Sequence, residues 1–201
     1  MENLVVKISN GNTKTGKIKS VSLPPVVTCR QDAPCIKKCY ARRLLRYPNV
    51  RNAYESNLQL YKENPALYFD GITACAINEE FFRWHVSGDI PDIDYFRYMC
   101  GVARTCENTL FLCFTKKYEI VNNFIFEGGI VPPNLIIIFS MWDTLYCKNP
   151  YDFATAEVIT AEEAKHRYNV CTGNCLDCAK NNRLCWAFQN GLGGTVYLVE
   201  H

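Results

Sequence analysis

Apolar positions along this chain alternate between the two-residue period of strands and the 3.6-residue period of helices. Strand-like runs are expected at residues 4–8, 18–23, 81–87, 110–115, 135–140, 157–160 and 195–200. Helical spacing predicts helices at residues 41–62, with a break at Pro48, and at 65–77, 92–106, 117–126 and 161–167. The bulky apolar run at 135–140 is typical of a strand that is buried on both faces.

This regular alternation of strand and helix predicts βαβ units, and therefore a mostly parallel sheet or barrel. At roughly 30 residues for each unit there is room for about six such strands, fewer than a complete barrel needs. We therefore expect one α/β domain over residues 1–201 with the architecture of a partial (β/α) barrel. Its parts are an N-terminal hairpin at 1–25, a cysteine loop at 26–41, a βα core at 42–160 and a C-terminal cysteine motif at 171–185.

The compartment decides how the twelve cysteines are interpreted. The chain starts without the basic segment and long apolar stretch of a secretory signal, and no apolar run approaches the roughly 18 residues that span a bilayer. We therefore expect a cytoplasmic protein without membrane contact, in which thiols stay reduced. Five cysteines lie among apolar residues and are expected to pack in the core, namely Cys75, Cys100, Cys106, Cys113 and Cys147.

A first group of three cysteines lies in the predicted loop and consists of Cys29, Cys35 and Cys39. A folded loop of eleven residues can bring three thiols to one centre. Basic residues on both sides of Cys39 favour the thiolate form that metals bind. Three cysteines leave a fourth coordination position open, as a reactive centre requires, whereas a structural site is usually closed. A structural zinc loop is the alternative.

A second group of four cysteines falls within fifteen residues and consists of Cys171, Cys175, Cys178 and Cys185. Gly173 and Asn174 permit a tight turn between the first two. The spacing suits an iron–sulfur cluster and a structural zinc ion about equally. A third possibility is that cysteines from both groups surround one shared cluster, since the sequence leaves their partition open.

Three predicted strands end in polar residues, and ligands of parallel α/β folds bind at the carboxyl ends of the strands. The candidates are Ser87, Gly88 and Asp89 after the third strand, Thr115 and Lys116 after the fourth, and Ser140 at the end of the fifth. His85 lies on a strand between Trp84 and Val86. It is expected to be a packed, hydrogen-bonded histidine and not a ligand.

Charge is distributed unevenly along the chain. The net charge is +2, but residues 1–51 carry +9 and the remainder carries −7. The basic first quarter could face nucleic acid, a phosphate or a carboxylate, and a solvated basic surface is an equally good interpretation. The sequence contains no Walker motif, nucleophile elbow, HExxH or recognised nucleic-acid module.

Several segments of the chain resemble the phage proteins called gene product 88. The resemblance covers most of the chain and is carried by residues 14–25, 28–42, 81–89, 114–117 and 134–142. It implies a phage-encoded protein that acts in the host cell cytoplasm.

The layout also resembles, more distantly, radical S-adenosylmethionine (SAM) enzymes. Those proteins have a partial α/β barrel, a cysteine loop after the first strand and a short turn after the second. The resemblance implies that Cys29, Cys35 and Cys39 hold a [4Fe–4S] cluster. The turn formed by residues 87–89 would then lie near the SAM amino group, and Thr115, Lys116 and Ser140 would line the cavity. That family spaces its cysteines as CxxxCxxC, whereas the first group here reads Cx5Cx3C.

The sequence therefore predicts an iron–sulfur protein, with reductive SAM cleavage as the reaction if it is an enzyme. The second cysteine group would hold an auxiliary iron–sulfur cluster or structural zinc. The alternative is a non-enzymatic module, stabilised by a cluster or by zinc, that binds host protein or nucleic acid through its basic first quarter.

Overall fold

The computed structural model describes residues 5–142, 144–188 and 193–200 of the chain. Within them a single mixed sheet is made of seven strands. The strands are β1 (Ile8–Ser9), β2 (Lys19–Val21), β3 (Phe81–Trp84), β4 (Leu110–Thr115), β5 (Leu135–Ser140), β6 (Ala154–Ile159) and β7 (Thr195–Val199). The helices are α1 (Tyr40–Leu44), α2 (Pro48–Glu63), α3 (Pro65–Ala76), α4 (Ile93–Thr105), α5 (Tyr118–Phe126), α6 (Ala161–Ala164) and α7 (Cys175–Lys180).

The strands lie in the sheet in the same order as in the chain. β1 pairs antiparallel with β2, and every later neighbouring pair is parallel. Among the described residues β1 and β7 are the two edges, with no ladder between them. The α/β class, the N-terminal hairpin and the mostly parallel sheet are thus confirmed, whereas a barrel is not observed.

Two separate hydrophobic cores cover the two faces of the sheet. On one face Phe82, Trp84 and Phe111 pack against apolar residues of α2, α3, α4 and α5. Sequential parallel strands joined by right-handed crossovers place their helices on a single face, which explains this layer. On the other face Leu112 and Ile138 pack against the C-terminal cysteine motif and Trp186. The C-terminal segment therefore covers the face that the crossover helices leave open.

Local signals place the helix starts. Pro48 and Pro65 occupy first-turn positions of α2 and α3, where the missing N–H costs nothing. The Asp92 carboxylate caps α4 by accepting a hydrogen bond from the Tyr95 amide at 2.8 Å. The helix broken at Pro48 and the helices after it are confirmed. Among these helices and the others that the structure describes, none has both the length and the apolar character needed to cross a membrane.

Several predicted element boundaries need correction. The strand predicted at 81–87 ends at Trp84, and the helix predicted at 161–167 ends at Ala164. β6 begins at Ala154 and not at residue 157. The prediction was wrong because the small residues at 154–156 lack the bulky apolar pattern of a strand. The first strand, predicted at 4–8, is found only at Ile8–Ser9, and residue 4 lies outside the described part. The cysteine loop contains a short 3-10 helix at Pro34–Ile36, and the C-terminal motif contains α7 and a 3-10 helix at Leu184–Ala187.

Candidate metal and ligand site

The predicted polar strand ends meet at the carboxyl edge of the sheet around the carboxylate of Asp89. Its Oδ1 atom accepts hydrogen bonds from the Thr115 hydroxyl at 2.6 Å and from the Ile90 amide at 2.8 Å. Its Oδ2 atom accepts one from the Lys116 amide at 2.9 Å. Parallel neighbours bring their ends to one edge, so residues far apart in sequence become one network.

Burial controls the protonation of this carboxylate. The Asp89 side chain is almost inaccessible to solvent. Burial raises the pKa of Asp89, and the hydrogen bonds from Thr115, Lys116 and Ile90 and the charge of Lys116 oppose that rise. Three donors directed at one carboxyl group favour the ionised form, against the effect of burial.

Lys116 connects the ends of β4 and β5. Its ammonium group donates to the Ser140 hydroxyl at 2.8 Å, and the Tyr118 hydroxyl donates to the Ser140 carbonyl oxygen. Within the described residues Lys116 forms no ion pair. Its charge is therefore available to an anionic group that enters from the edge.

The cysteine loop is attached directly to this network. The Asp89 amide donates to the Thr28 hydroxyl at 3.0 Å, and the Leu23 amide donates to the Ser87 carbonyl oxygen at 3.0 Å. Gly88 has a φ of +79°, and a Cβ atom there would lie 2.7 Å from both the Leu23 carbonyl oxygen and the Thr28 hydroxyl. Glycine is thus required for the loop to approach the turn after β3.

The first three cysteines lie in one neighbourhood beside Asp89 and Lys116. Burial raises the pKa of Cys29 to about 11, and the charges of Asp89, Cys39 and Cys35 add to that rise. Burial also raises the pKa of Cys35, which the charge of Lys116 opposes and that of Cys39 reinforces. All three thiols are partly accessible, and all twelve cysteines of the chain are free.

The four C-terminal cysteines lie on the face of the sheet opposite the crossover helices. Cys175 and Cys178 are three residues apart on α7 and so share one side of that helix. Cys171 is held to β7 by its amide, which donates to the Tyr197 carbonyl oxygen at 2.8 Å. Burial raises the pKa of Cys185 to about 12, and the charges of Cys171 and Cys175 reinforce the rise.

Neither cysteine group has the geometry of a formed metal site. Among the described residues, no three His, Cys, Asp or Glu side chains are close enough to ligate one metal ion. Thiolates repel one another, and cysteines must lose their protons before they can bind a metal ion. The donor set fits a thiophilic metal, and binding would be coupled to reorientation of the thiols.

Sequence reasoning missed several contributors to the site. Thr28 and Tyr118 hold it through hydroxyl groups that no motif announces. Arg83 lies on β3 and donates from Nη1 to the Cys175 sulfur at 3.3 Å. The charge excess of the first quarter and the spacing of the cysteines gave no signal for them, because their roles depend on strand pairing.

His85 is a core residue, as predicted. It is almost fully buried, and its Nε2 atom lies 3.1 Å from the Tyr95 hydroxyl oxygen. Its Nδ1 atom lies 3.9 Å from the Cys113 sulfur. Cys100, Cys106 and Cys113 are buried as expected, whereas Cys75 and Cys147 are only partly buried.

Comparison with known proteins gives a family without an activity. A family model described as Gene product 88 matches residues 3–169. No curated protein and no solved structure matches the chain. The matched segment includes the first cysteine group and the polar ends of β3, β4 and β5, and it ends just before Cys171.

Proposed function

We propose that this chain, which belongs to the Gene product 88 family, is a phage-encoded iron–sulfur protein with radical-SAM-like activity. Cys29, Cys35 and Cys39 would hold a [4Fe–4S] cluster with one open position. The C-terminal cysteines would hold a second centre, either iron–sulfur or zinc. The sheet would then be a partial barrel whose carboxyl edge binds the substrate.

The observation that carries the proposal is the position of the three-cysteine loop. It follows the first parallel strand, β2, and is hydrogen-bonded to the turn after β3. The charge of Asp89 acts on the Cys29 thiol and that of Lys116 on the Cys35 thiol, which supports a position of the loop near the polar edge. An open metal position and a set of ligand-binding groups would therefore face each other.

The residues of the edge have the charges that the amino acid part of SAM requires. The Lys116 ammonium group is free of an ion pair among the described residues and can neutralise a carboxylate. The buried Ser87 hydroxyl, which interacts with the Tyr54 side chain, can bond a polar ligand group. Asp89 would supply negative charge near the SAM ammonium group, which would lie beside the turn of residues 87–89.

In this proposal the cluster and the protein have different roles. When bound, the cluster supplies the electron for reductive SAM cleavage. The chain orients SAM through Lys116 and the turn of residues 87–89, and the packed strand ends exclude water from the reacting groups.

The test is metal analysis after anaerobic purification. We expect about four irons and four sulfides per chain for one cluster and about twice that for two. Cys35→Ser should remove one cluster, whereas Cys75→Ser, a partly buried cysteine on α3, should leave the iron content unchanged. Zinc without iron, or equal iron in both variants, would contradict the proposal.

SAM binding is tested separately on the reduced protein. Addition of SAM should change the electron paramagnetic resonance spectrum. In Lys116→Met, a higher SAM concentration should be needed for the same spectral change. An unchanged spectrum would remove the radical mechanism and leave the iron–sulfur assignment standing.

A second candidate is a metal-stabilised module that binds nucleic acid. The observation that favours it is a group of exposed cations beside the first cysteine loop. The basic surface consists of Lys37, Lys38, Arg42, Arg43, Arg46 and Arg51. None of the six is in an ion pair among the described residues, and the exposed rings of Tyr40 and Tyr47 lie among them in the chain. Unpaired cations with aromatic rings are suited to phosphates and bases.

A further inference from the structure

Arg83 projects a cation onto the face of the sheet that the C-terminal cysteine motif covers. Side chains alternate along β3, so Phe82 and Trp84 enter the helix-side core while Phe81 and Arg83 face the other way. The guanidinium carbon lies 5.1 Å from the centre of the Phe114 ring. Nη1 donates to the Cys175 sulfur at 3.3 Å, and the buried Nε atom has no hydrogen-bond partner among the residues that the structure describes.

Among the described residues, no carboxylate balances this cation. Within the described residues Arg83 forms no ion pair. The Arg83 side chain is partly buried, and a partly buried charge without a counter-ion favours an anion that completes the site. The Cys175 sulfur, which accepts the hydrogen bond from Nη1, can become anionic as a thiolate.

We propose that Arg83 is a positioning residue that serves as the counter-cation of a metal–thiolate centre formed by Cys171, Cys175, Cys178 and Cys185. The proposal rests on the second metal centre of the proposed function. A divalent metal ion with four thiolate ligands keeps a charge of about −2. The guanidinium offsets part of that charge, and its N–H group orients one sulfur.

The counter-cation and the ligands come from different parts of the chain. Arg83 lies within the segment that matches the family model, and the four cysteines follow that segment. The docking is fixed by two further contacts with the N-terminal turn. The Cys175 amide donates to the Lys14 carbonyl oxygen at 3.0 Å, and a Cβ atom on Gly16 would lie 2.7 Å from the Leu176 Cβ. Arg83 therefore meets the ligands only when the C-terminal motif is seated on the sheet.

The experiment measures Zn²⁺ affinity of the metal-free full-length chain by competition with a chromogenic chelator. Cys29, Cys35 and Cys39 are replaced by serine in every sample, so that the measured ion belongs to the C-terminal cysteines. Arg83→Met should weaken Zn²⁺ binding by about 10–100-fold, the usual effect of removing a group that supports a metal ligand. Arg83→Lys keeps the charge without the planar head and should lose less.

The matched control is Arg104→Met. Arg104 is an exposed arginine of α4 whose guanidinium donates to the Ile130 carbonyl oxygen, and its loss should leave Zn²⁺ affinity unchanged. Circular dichroism checks that each variant is folded. If Arg83→Met does not fold, the Zn²⁺ affinity of Arg83→Lys is compared with that of the parent. Weaker binding by Arg83→Lys then supports the role of Arg83, and equal binding contradicts it.

The outcomes distinguish the role of Arg83 from the existence of the metal centre. Equal affinity in the parent and the Arg83 variants overturns the role of Arg83 and leaves the metal centre in place. A parent that does not bind Zn²⁺ through these cysteines overturns both. Weaker binding by Arg83→Met alone, with the control unchanged, supports the counter-cation.

Discussion

At the residue scale, His85 illustrates how burial sets chemistry. The ring lies inside the helix-side core next to Tyr95, and its backbone has a φ of +51°, a left-handed value unusual for a residue with a side chain. Burial lowers the pKa of His85 to about 3, so the ring is neutral in the folded protein. A histidine in the unfolded chain has a pKa near 6.5, so it is charged between about pH 3 and 6.5, where the buried ring is neutral.

The stability of the protein should therefore depend on the protonation of His85. Between about pH 6.5 and 3 the unfolded chain binds a proton that the folded chain excludes, so stability is lost as the pH falls. The loss between pH 7 and pH 5 should be about 2 kcal/mol from this residue. Asparagine tolerates the left-handed backbone, so His85→Asn is a suitable replacement. Its free energy of unfolding, measured by urea denaturation, should differ less between pH 7 and pH 5 than that of the parent.

The control for this measurement is His166→Asn, because His166 is exposed. It should keep the pH dependence of the parent. If His85→Asn loses as much stability as the parent between pH 7 and pH 5, the buried neutral ring is not the cause.

At the element scale, α1 joins the first cysteine group to the basic surface. Cys39 is the residue that precedes the helix, and Arg42 and Arg43 lie within its five residues. Both arginines are exposed, whereas Ala41 faces the core. The Tyr40 hydroxyl donates to the Val86 carbonyl oxygen at 3.0 Å, which fixes the start of α1 above the turn after β3. A ligand on the basic surface would thus lie close to the metal loop.

The arginines of α1 provide the test of nucleic-acid binding. If the second candidate function is correct, replacing Arg42 and Arg43 by serine should weaken binding to single-stranded nucleic acid and reduce its salt dependence by about two counterions. Fluorescence anisotropy at several salt concentrations measures both quantities. Replacing the paired, exposed Arg97 and Lys165 by serine is the control with the same loss of charge. An equal effect of the two double variants would indicate attraction by net charge alone.

At the scale of the whole molecule, the C-terminal segment completes the sheet. β7 forms its last edge, and Trp186 is buried against the face opposite the crossover helices. The Trp186 and Phe81 ring centres are 5.3 Å apart with an edge-on geometry. Without this layer the apolar positions of β4 and β5 on that face would meet water.

Trp186→Ala should consequently destabilise the protein by about 3–5 kcal/mol, because it leaves a large cavity between the sheet and the C-terminal segment. Denaturant unfolding measures the change, and binding of a hydrophobic dye should increase as the face opens. Tyr168→Ala removes a fully exposed ring upstream of the same segment and should change stability by no more than about 0.5 kcal/mol. Similar stability of both variants would mean that Trp186 does not anchor the layer.

Periodicity located most elements because each helix and strand carries its own local signals. Pro48 and Pro65 begin helices, and the apolar run at Leu135–Ser140 forms a fully buried strand. β6 was misplaced by three residues because Ala154 and Ala156 lack the bulk that marks a strand, although both are buried. α7 was missed since a six-residue helix is too short for a periodic pattern.

The sequence by itself determined the order of the strands and helices, the two cysteine groups and the polar residues at the strand ends, because these are properties of neighbours in the chain. Only the tertiary structure decided that Asp89 would receive the Thr115 and Lys116 donors, and that Arg83 would reach Cys175. Those contacts join residues 26 to 92 positions apart. Pairing of parallel strands and the seating of the C-terminal segment create them, and no local pattern encodes either.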